Sequence, residues 1–270
     1  MIDGALPYLR CPVCEDTLAR RAERTLRCPH GHSFDIARQG YVNLTRGRTP
    51  HPGDSAEMVA ARAAFLAAGH YAFVARALSA AARSAAGPVV DAGTGTGWYL
   101  AAVLDALPHA TGLGLDVSKP ALRRAAWAHP RAAAVLADLW QPLPVATGSA
   151  ALILNLFSPR NGPEFHRILR PDGALLVVTP AADHLRELID SFRMIRVDPD
   201  KADRVSESLG GHFAAVGTET HRARLKLAGD ALRTLIGMTP SARHLDVADL
   251  PSATEVEVTA AIDLTAYRPV

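Results

Sequence analysis

From residue 89 onward, small and apolar residues gather into short runs: Val89–Ala92, Gly112–Asp116, 134–137, 152–155 and 174–179. Each is bounded by a turn signal and followed by a stretch with helical spacing. Runs of this length without polar alternation are what strands covered on both faces look like. Strand, turn and helix in alternation predict a parallel sheet with helices packed on it, a doubly wound α/β fold. The intervening helices are expected to start near Gly97, Ala121 and Glu164.

Two further helices are predicted ahead of the first run. Asp54-Ser-Ala-Glu57 has the form of a capping box, with Asp54 accepting from the third helical amide and Glu57 reaching back. Met58, Phe65 and Leu66 share one face of the helix that follows, which should end near Gly69. A second helix over 71–86 runs to Gly87-Pro88. Residues 40–52, rich in Gly, Pro, Thr and Arg, read as a linker. In the last ninety residues the pattern weakens to a helix over 181–190, a strand over 221–227 and a helix over 230–236.

A chain of 270 residues that is 49% hydrophobic and 21% charged can bury one full-sized core and a small appendage. The first ten residues lack a basic start followed by an apolar run, and no charge-free apolar stretch reaches about 18 residues. Neither a signal peptide nor a membrane span is therefore expected, and the cytoplasm is the expected location. The net charge of +2 is uneven. Between Arg10 and Arg48 eight arginines face Glu15, Asp16, Glu23 and Asp35, a balance of +4 that leaves −2 for the rest. A basic segment of this kind can pre-bind a phosphate backbone without reading sequence.

All three cysteines lie in that segment. Cys11, Cys14 and Cys28 with His32 give C-x2-C-x13-C-x3-H. Two close ligand pairs on two tight turns are what a tetrahedral zinc site needs, with a hairpin over 20–27 between the turns. Three cysteines cannot pair fully as disulfides. His30 competes with His32 for the fourth position. With four protein ligands the site is closed, so the metal is assigned to folding. The expected organisation is a zinc-binding, RNA-recognising module over 1–45 and a second domain over 46–270.

Val89-Val-Asp-Ala-Gly-Thr-Gly-Thr-Gly97 is a strand opening onto a glycine-rich turn, where backbone can approach a nucleoside closely. Alone, such a turn serves a dinucleotide equally well. Three further features, taken as a set, point to S-adenosylmethionine. Asp116 closes the second strand, nineteen residues after Gly97, placed for ribose hydroxyls, which suits NAD and S-adenosylmethionine equally. Asp91 ahead of Gly93 and Gly95 would repel a pyrophosphate but suits a sulfonium cation. Asp138 closes the third strand, where an adenine amino group can donate. The run Ile168-Leu-Arg-Pro-Asp-Gly-Ala-Leu-Leu-Val-Val reads as helix, Pro-Asp-Gly turn and strand, and resembles the fifth-strand motif of class I methyltransferases.

With these motifs in place the chain resembles the 23S rRNA guanine-N1 methyltransferases of the RlmA type. The likeness rests on both cysteine knuckles, Gly40-Tyr-Val-Asn-Leu44, Pro52-Gly-Asp-Ser-Ala-Glu-Met58, Ala68-Gly-His-Tyr71, Gly114-Leu-Asp-Val-Ser-Lys119 and Met238-Thr-Pro240. It implies a Rossmann-like class I methyltransferase domain, S-adenosylmethionine and structural zinc as cofactors, a 23S rRNA hairpin as partner, and a homodimer. Asn155-Leu-Phe-Ser-Pro-Arg160 resembles the branch that methylates guanine 748 in hairpin 35, associated with tylosin-type resistance, more than the branch acting on guanine 745. The resemblance also implies cofactor contacts from Tyr71, Trp98 and His184. By spacing alone Tyr71 and Trp98 read equally as core residues and His184 as a surface histidine.

Guanine N1 carries a proton that must leave before or during attack, so a base or water path is needed. Asp54 and Asn155 are the candidates. Two other readings stay open: a small-molecule or protein methyl acceptor, with the zinc module shaping a dimer or lid, and a nucleic-acid-binding module with a vestigial cofactor pocket.

Overall fold

The computed structural model of the chain describes residues 2–47, 53–192, 201–243 and 255–270. Helix α1 (Ile2–Ala5) leads through a 3-10 turn into three short antiparallel strands, β1 (Ala19–Ala22), β2 (Thr25–Arg27) and β3 (Ser33–Asp35). The β1–β2 pair is the hairpin expected between the cysteine knuckles. Then follow β4 (Val42–Asn43), α2 (Ala56–Ala67), α3 (Ala72–Ala82), β5 (Val89–Ala92), α4 (Trp98–Ala106), β6 (Gly112–Asp116), α5 (Lys119–Ala125) and β7 (Ala132–Leu136). The chain continues through β8 (Ala150–Leu156), α6 (Gly162–Ile168), β9 (Leu169–Pro180), α7 (Arg186–Phe192), α8 (Lys201–Leu209), β10 (Phe213–Leu227), α9 (Gly229–Gly237) and β11 (Val256–Pro269).

Eight strands form one sheet in the order β10-β11-β9-β8-β5-β6-β7-β4. From β4 to β9 neighbours are parallel, while β11 runs antiparallel to both β9 and β10. The chain winds outward from β5 through β6 to β7, then returns to lay β8 on the other side of β5. That reversal opens a crevice at the carboxyl ends of β5 and β8, where doubly wound sheets hold their ligands.

Alternate residues of each strand feed two cores. Val89, Leu152 and Leu154 pack with α3 and α4, whereas Val90, Leu113 and Val135 pack with Leu9, Cys11, Leu18, Leu26 and Cys28 of the N-terminal segment. Backbone bonds add to this contact: Arg10 N donates to Pro144 O (3.0 Å) and Ala146 N to Tyr8 O (2.8 Å). The zinc module thus shares a core with one face of the sheet.

Three local readings are corrected. The segment over 40–52 is not all linker, because β4 pairs with β7 (Val42 with Val135, Asn43 with Leu136) and buries Val42 and Leu44; residues 48–52 lie outside the described set. The cap of α2 is Ser55, whose Oγ accepts from Met58 N at 3.2 Å; the Asp54 carboxylate is drawn away to Arg62. The Pro-Asp-Gly segment is no turn before a strand but a bulge inside β9, where the register with β8 jumps between Ala150 and Leu152. No single described helix is long and apolar enough to cross a membrane. The bent pair α2 and α3 passes that test jointly, but its apolar residues Phe65, Leu66, Val74 and Leu78 are buried against the sheet.

Candidate cofactor cavity and metal centre

At the two knuckles the chain turns tightly: Glu15 N donates to Cys11 O (2.8 Å) and Gly31 N to Cys28 O (3.0 Å), with Gly31 at φ +92°. This brings Cys11, Cys14, Cys28 and His32 together with their ligand atoms within 4.8 Å of one another. Cys14 Sγ lies 3.6 Å from Cys28 Sγ, and His32 Nδ1 lies 3.6 Å and 3.3 Å from the Sγ atoms of Cys11 and Cys28. Tetrahedral zinc with Zn–S bonds of about 2.3 Å separates its ligand atoms by about 3.5–3.8 Å, so the donors fit the metal. His30 turns outward, its Nε2 3.5 Å from Asp16, and so leaves the fourth position to His32.

The second site lies at the crevice. β5 ends in the turn 93–97, whose tightness is seen in Gly97 N donating to Thr94 O at 2.9 Å. Gly95 sits at φ +55° and faces an open cavity of about 760 Å3, a size that takes a cofactor. Gly97, at φ +78°, serves packing instead: a Cβ there would stand 2.9 Å from Ala128 Cβ and 3.0 Å from Ala125 Cα.

Asp91, Asp116 and Asp138, from the ends of β5, β6 and β7, all line this cavity. Asp91 is 1% exposed, and its Oδ1 has no hydrogen-bond donor among the described residues. Burial, reinforced by the nearby Asp116 carboxylate, pushes the Asp91 carboxyl up to about 7. Burial raises the Asp116 carboxyl as well. Asp116 accepts from Gly95 N through Oδ2 and from Ser118 N through Oδ1, both at 2.8 Å. Asp138 accepts from Trp140 N at 3.0 Å. A row of acceptors, one of them an unmatched buried carboxylate oxygen, fits a cationic nucleoside and not a pyrophosphate.

Tyr71 and His184 line the far wall. His184 Nδ1 accepts from Ala261 N (3.1 Å), which leaves the ring proton on Nε2, 3.4 Å from the Tyr71 hydroxyl. Burial holds His184 down at about 4, so the imidazole is neutral, and burial also raises the Tyr71 phenol.

Of the remaining candidates, Gly93 and Asp54 line the cavity, while Gly97, Trp98 and Asn155 do not. Trp98 packs edge-on against Tyr99 at 5.0 Å, and Tyr99 takes the place in the lining. Asn155 is fully buried and donates to Ala92 O, Ser158 Oγ and Pro159 O, tying the turn after β8. Asp54 is ion-paired with Arg62, which also donates to Met238 O at 3.0 Å.

Arg62, Trp140 and Phe157 were not singled out from sequence. Arg62 is the one cation of an alanine-rich helix whose only other charge is Glu57 in the first turn, which is a readable signal. Phe157 has φ +52°, a costly backbone for a bulky residue, and is pinned there by its N–H donating to Val178 O at 3.1 Å. Its ring is 43% exposed and lies over His184, with centroids 6.4 Å apart.

Comparison with known proteins agrees with this geometry. A zinc-ribbon family described as the N-terminal region of RlmA matches residues 9–45. A Streptomyces fradiae protein named 23S rRNA (guanine(748)-N(1))-methyltransferase is 51% identical, with 100% of this chain and 99% of that protein covered. A Micromonospora griseorubida protein described as a candidate 23S rRNA (guanine-N(1)-)-methyltransferase is 57% identical, with 98% of each covered. Among solved structures, YcgJ from Bacillus subtilis superposes with a TM-score of 0.49 at 15% identity, over 72% of this chain and 97% of its own. With full-length identity above one half and the zinc ribbon in register, the chain belongs to the 23S rRNA (guanine-N1)-methyltransferase family.

Proposed function

We propose that this chain methylates N1 of guanine 748 in hairpin 35 of 23S rRNA, in the cytoplasm, and so protects its host against tylosin-type macrolides. The observation that carries the reading is the row of Asp91, Asp116 and Asp138 across three adjacent strand ends, opening toward Phe157. Asp116 would hold the ribose of S-adenosylmethionine, Asp138 the adenine and Asp91 the cationic amino-acid end, while Gly93 and Gly95 admit the ligand to backbone contact. Tyr71 and His184 close the methionine side. When bound, the cofactor supplies a methyl group on a cationic sulfur.

The residues of the chain then have three tasks. They must extrude the base, because N1 lies on the Watson–Crick edge. They must hold N1 in line with the methyl carbon, which supplies much of the rate. And they must leave a path for the N1 proton. Phe157 gives the first two a platform, since its exposed ring at the mouth offers a face on which a flipped base stacks. For the third, the Asp54 carboxylate, ion-paired with Arg62, lines the cavity, whereas Asn155 is committed to its turn.

The test is methyl transfer from labelled S-adenosylmethionine to unmodified 23S rRNA, with the product mapped by reverse-transcriptase stops. A single stop at guanine 748 is expected. A stop at 745 would move the target within the same hairpin, and no transfer by cofactor-bound enzyme would overturn the RNA reading.

The raised Asp91 carboxyl gives a pH signature. Below about 7 it is largely protonated and neutral in the free enzyme, and a cationic ligand favours the charged form. S-adenosylmethionine affinity should therefore fall as pH drops from 8 to 6, approaching roughly tenfold per unit. In Asp91→Asn the profile should be flat and the affinity low. Calorimetry at several pH values decides it, and an unchanged slope in the variant would remove Asp91 from the site.

A further inference from the structure

Most of the arginines of the N-terminal module are engaged within it. Arg20 is held by Asp3 and by the carbonyl of Glu23. Arg24 donates twice to Ile36 O, Arg27 donates to Gly31 O, and Arg46 pairs with Glu15. These donors hold the module together and are poorly placed to meet phosphates.

Helix α5 is different. Lys119, Arg123 and Arg124 are exposed, and none of their side chains has a hydrogen-bond or ion-pair partner among the described residues. The sequence holds no Asp or Glu between Asp116 and Asp138, so the cations have no counter-charge on their own element. Lys119 and Arg123 stand four residues apart on one face, and Trp127 continues the row one turn on. Trp127 follows the helix in a turn closed by its N–H donating to Arg124 O at 3.0 Å, and it is 69% exposed.

The row joins two places already described. At one end Lys119 follows Val117, which lines the cofactor cavity. At the other, the buried side of α5 (Leu122, Ala125, Ala126) packs on Tyr41 and Ala37 of the turn leaving the zinc module. A Cβ on Gly40 in that turn would stand 3.2 Å from Ala126 Cβ. Arg38, on the same turn, is exposed and without a partner among the described residues.

We propose that α5 and the 37–40 turn form a track for the phosphodiester backbone of the RNA substrate, leading from the zinc module to the cavity mouth, with an unpaired base stacked on Trp127. A row of uncompensated cations is the footprint of a polyanion. An exposed indole at its end suits a nucleobase, whose π-face any aromatic can take. The identity of the RNA, and only that, rests on the function proposed above.

The test measures binding of the zinc-loaded full-length protein to a fluorescent 23S rRNA hairpin transcript, by anisotropy over a range of salt. For Lys119→Ala/Arg123→Ala/Arg124→Ala, Kd should rise about tenfold or more near physiological salt, and the slope of log affinity against log salt should shrink by about 2–3. Trp127→Ala should raise Kd roughly tenfold at every salt with the slope kept, and Trp127→Phe should restore most of it. Unchanged S-adenosylmethionine affinity and melting temperature would show that the variants fold. Wild-type affinity and slope in both the triple variant and Trp127→Ala would overturn the track, whatever the enzyme methylates. Track-dependent binding without methyl transfer to 23S rRNA would instead overturn the proposed function and leave the track standing.

Discussion

Replacing Asp116 by alanine is expected to weaken S-adenosylmethionine binding by at least about 100-fold while the chain stays folded. The carboxylate sits at the end of β6, accepting one backbone amide on each oxygen, from Gly95 and from Ser118. Each oxygen keeps a further lone pair for a ribose hydroxyl. A hydrogen bond to a charged group contributes about 1.5–3 kcal/mol, so losing two costs about 3 kcal/mol or more, which is over two decades in Kd. The variant also removes the acceptor that orients Gly95, so the glycine turn loosens where the ligand must fit closely. Asp116→Asn keeps an acceptor for one amide and should fall between the two. Calorimetric titration decides the matter, and wild-type affinity in the alanine variant would take Asp116 out of the site.

The second large effect is expected from Cys11→Ser, or from stripping the metal with a chelator. Strands of three or four residues cannot hold themselves, and binding of structural zinc supplies on the order of 10–16 kcal/mol in small modules of this kind. One zinc per chain should be released, with loss of hydrogen-exchange protection across 9–45. Cys11 and Cys28 are buried among residues that also cover Val90, Leu113 and Val135, so the loss should spread to the β7 edge of the sheet. The cavity wall contributed by Leu66, Tyr71 and Tyr99 packs in the other core and should stay protected. A module that remains protected with no metal bound would refute the structural role of zinc.

The central strands were legible because they are buried on both sides, and β5 and β6 lie where their apolar runs predict. β10 was only half read: its residues from Ala214 to Thr220 are exposed at the sheet edge, so no apolar pattern marks them. β11 escaped altogether, and β4 is two residues inside a stretch whose composition says loop. In the site, the three aspartates were readable because strand ends are readable. Arg62 and Phe157 were not: one reaches the cavity from a helix far back in the sequence, and the other is placed by a left-handed turn that no spacing announces. Asp54 and Ser55 both suit a helix cap, and only the pull of Arg62 on Asp54 decides between them.

The pairing of β4 with β7 also sets an order for the chain's birth. Val42 leaves the ribosome long before Val135, its partner. At the usual pace of synthesis the gap of about ninety residues lasts roughly 5 to 20 s. Through that interval the knuckles can fold on their metal, but the apolar face meant for the sheet has nothing to cover. Metal capture is therefore the early local event, and closing the sheet edge is a late one that waits on the second half of the nascent polypeptide.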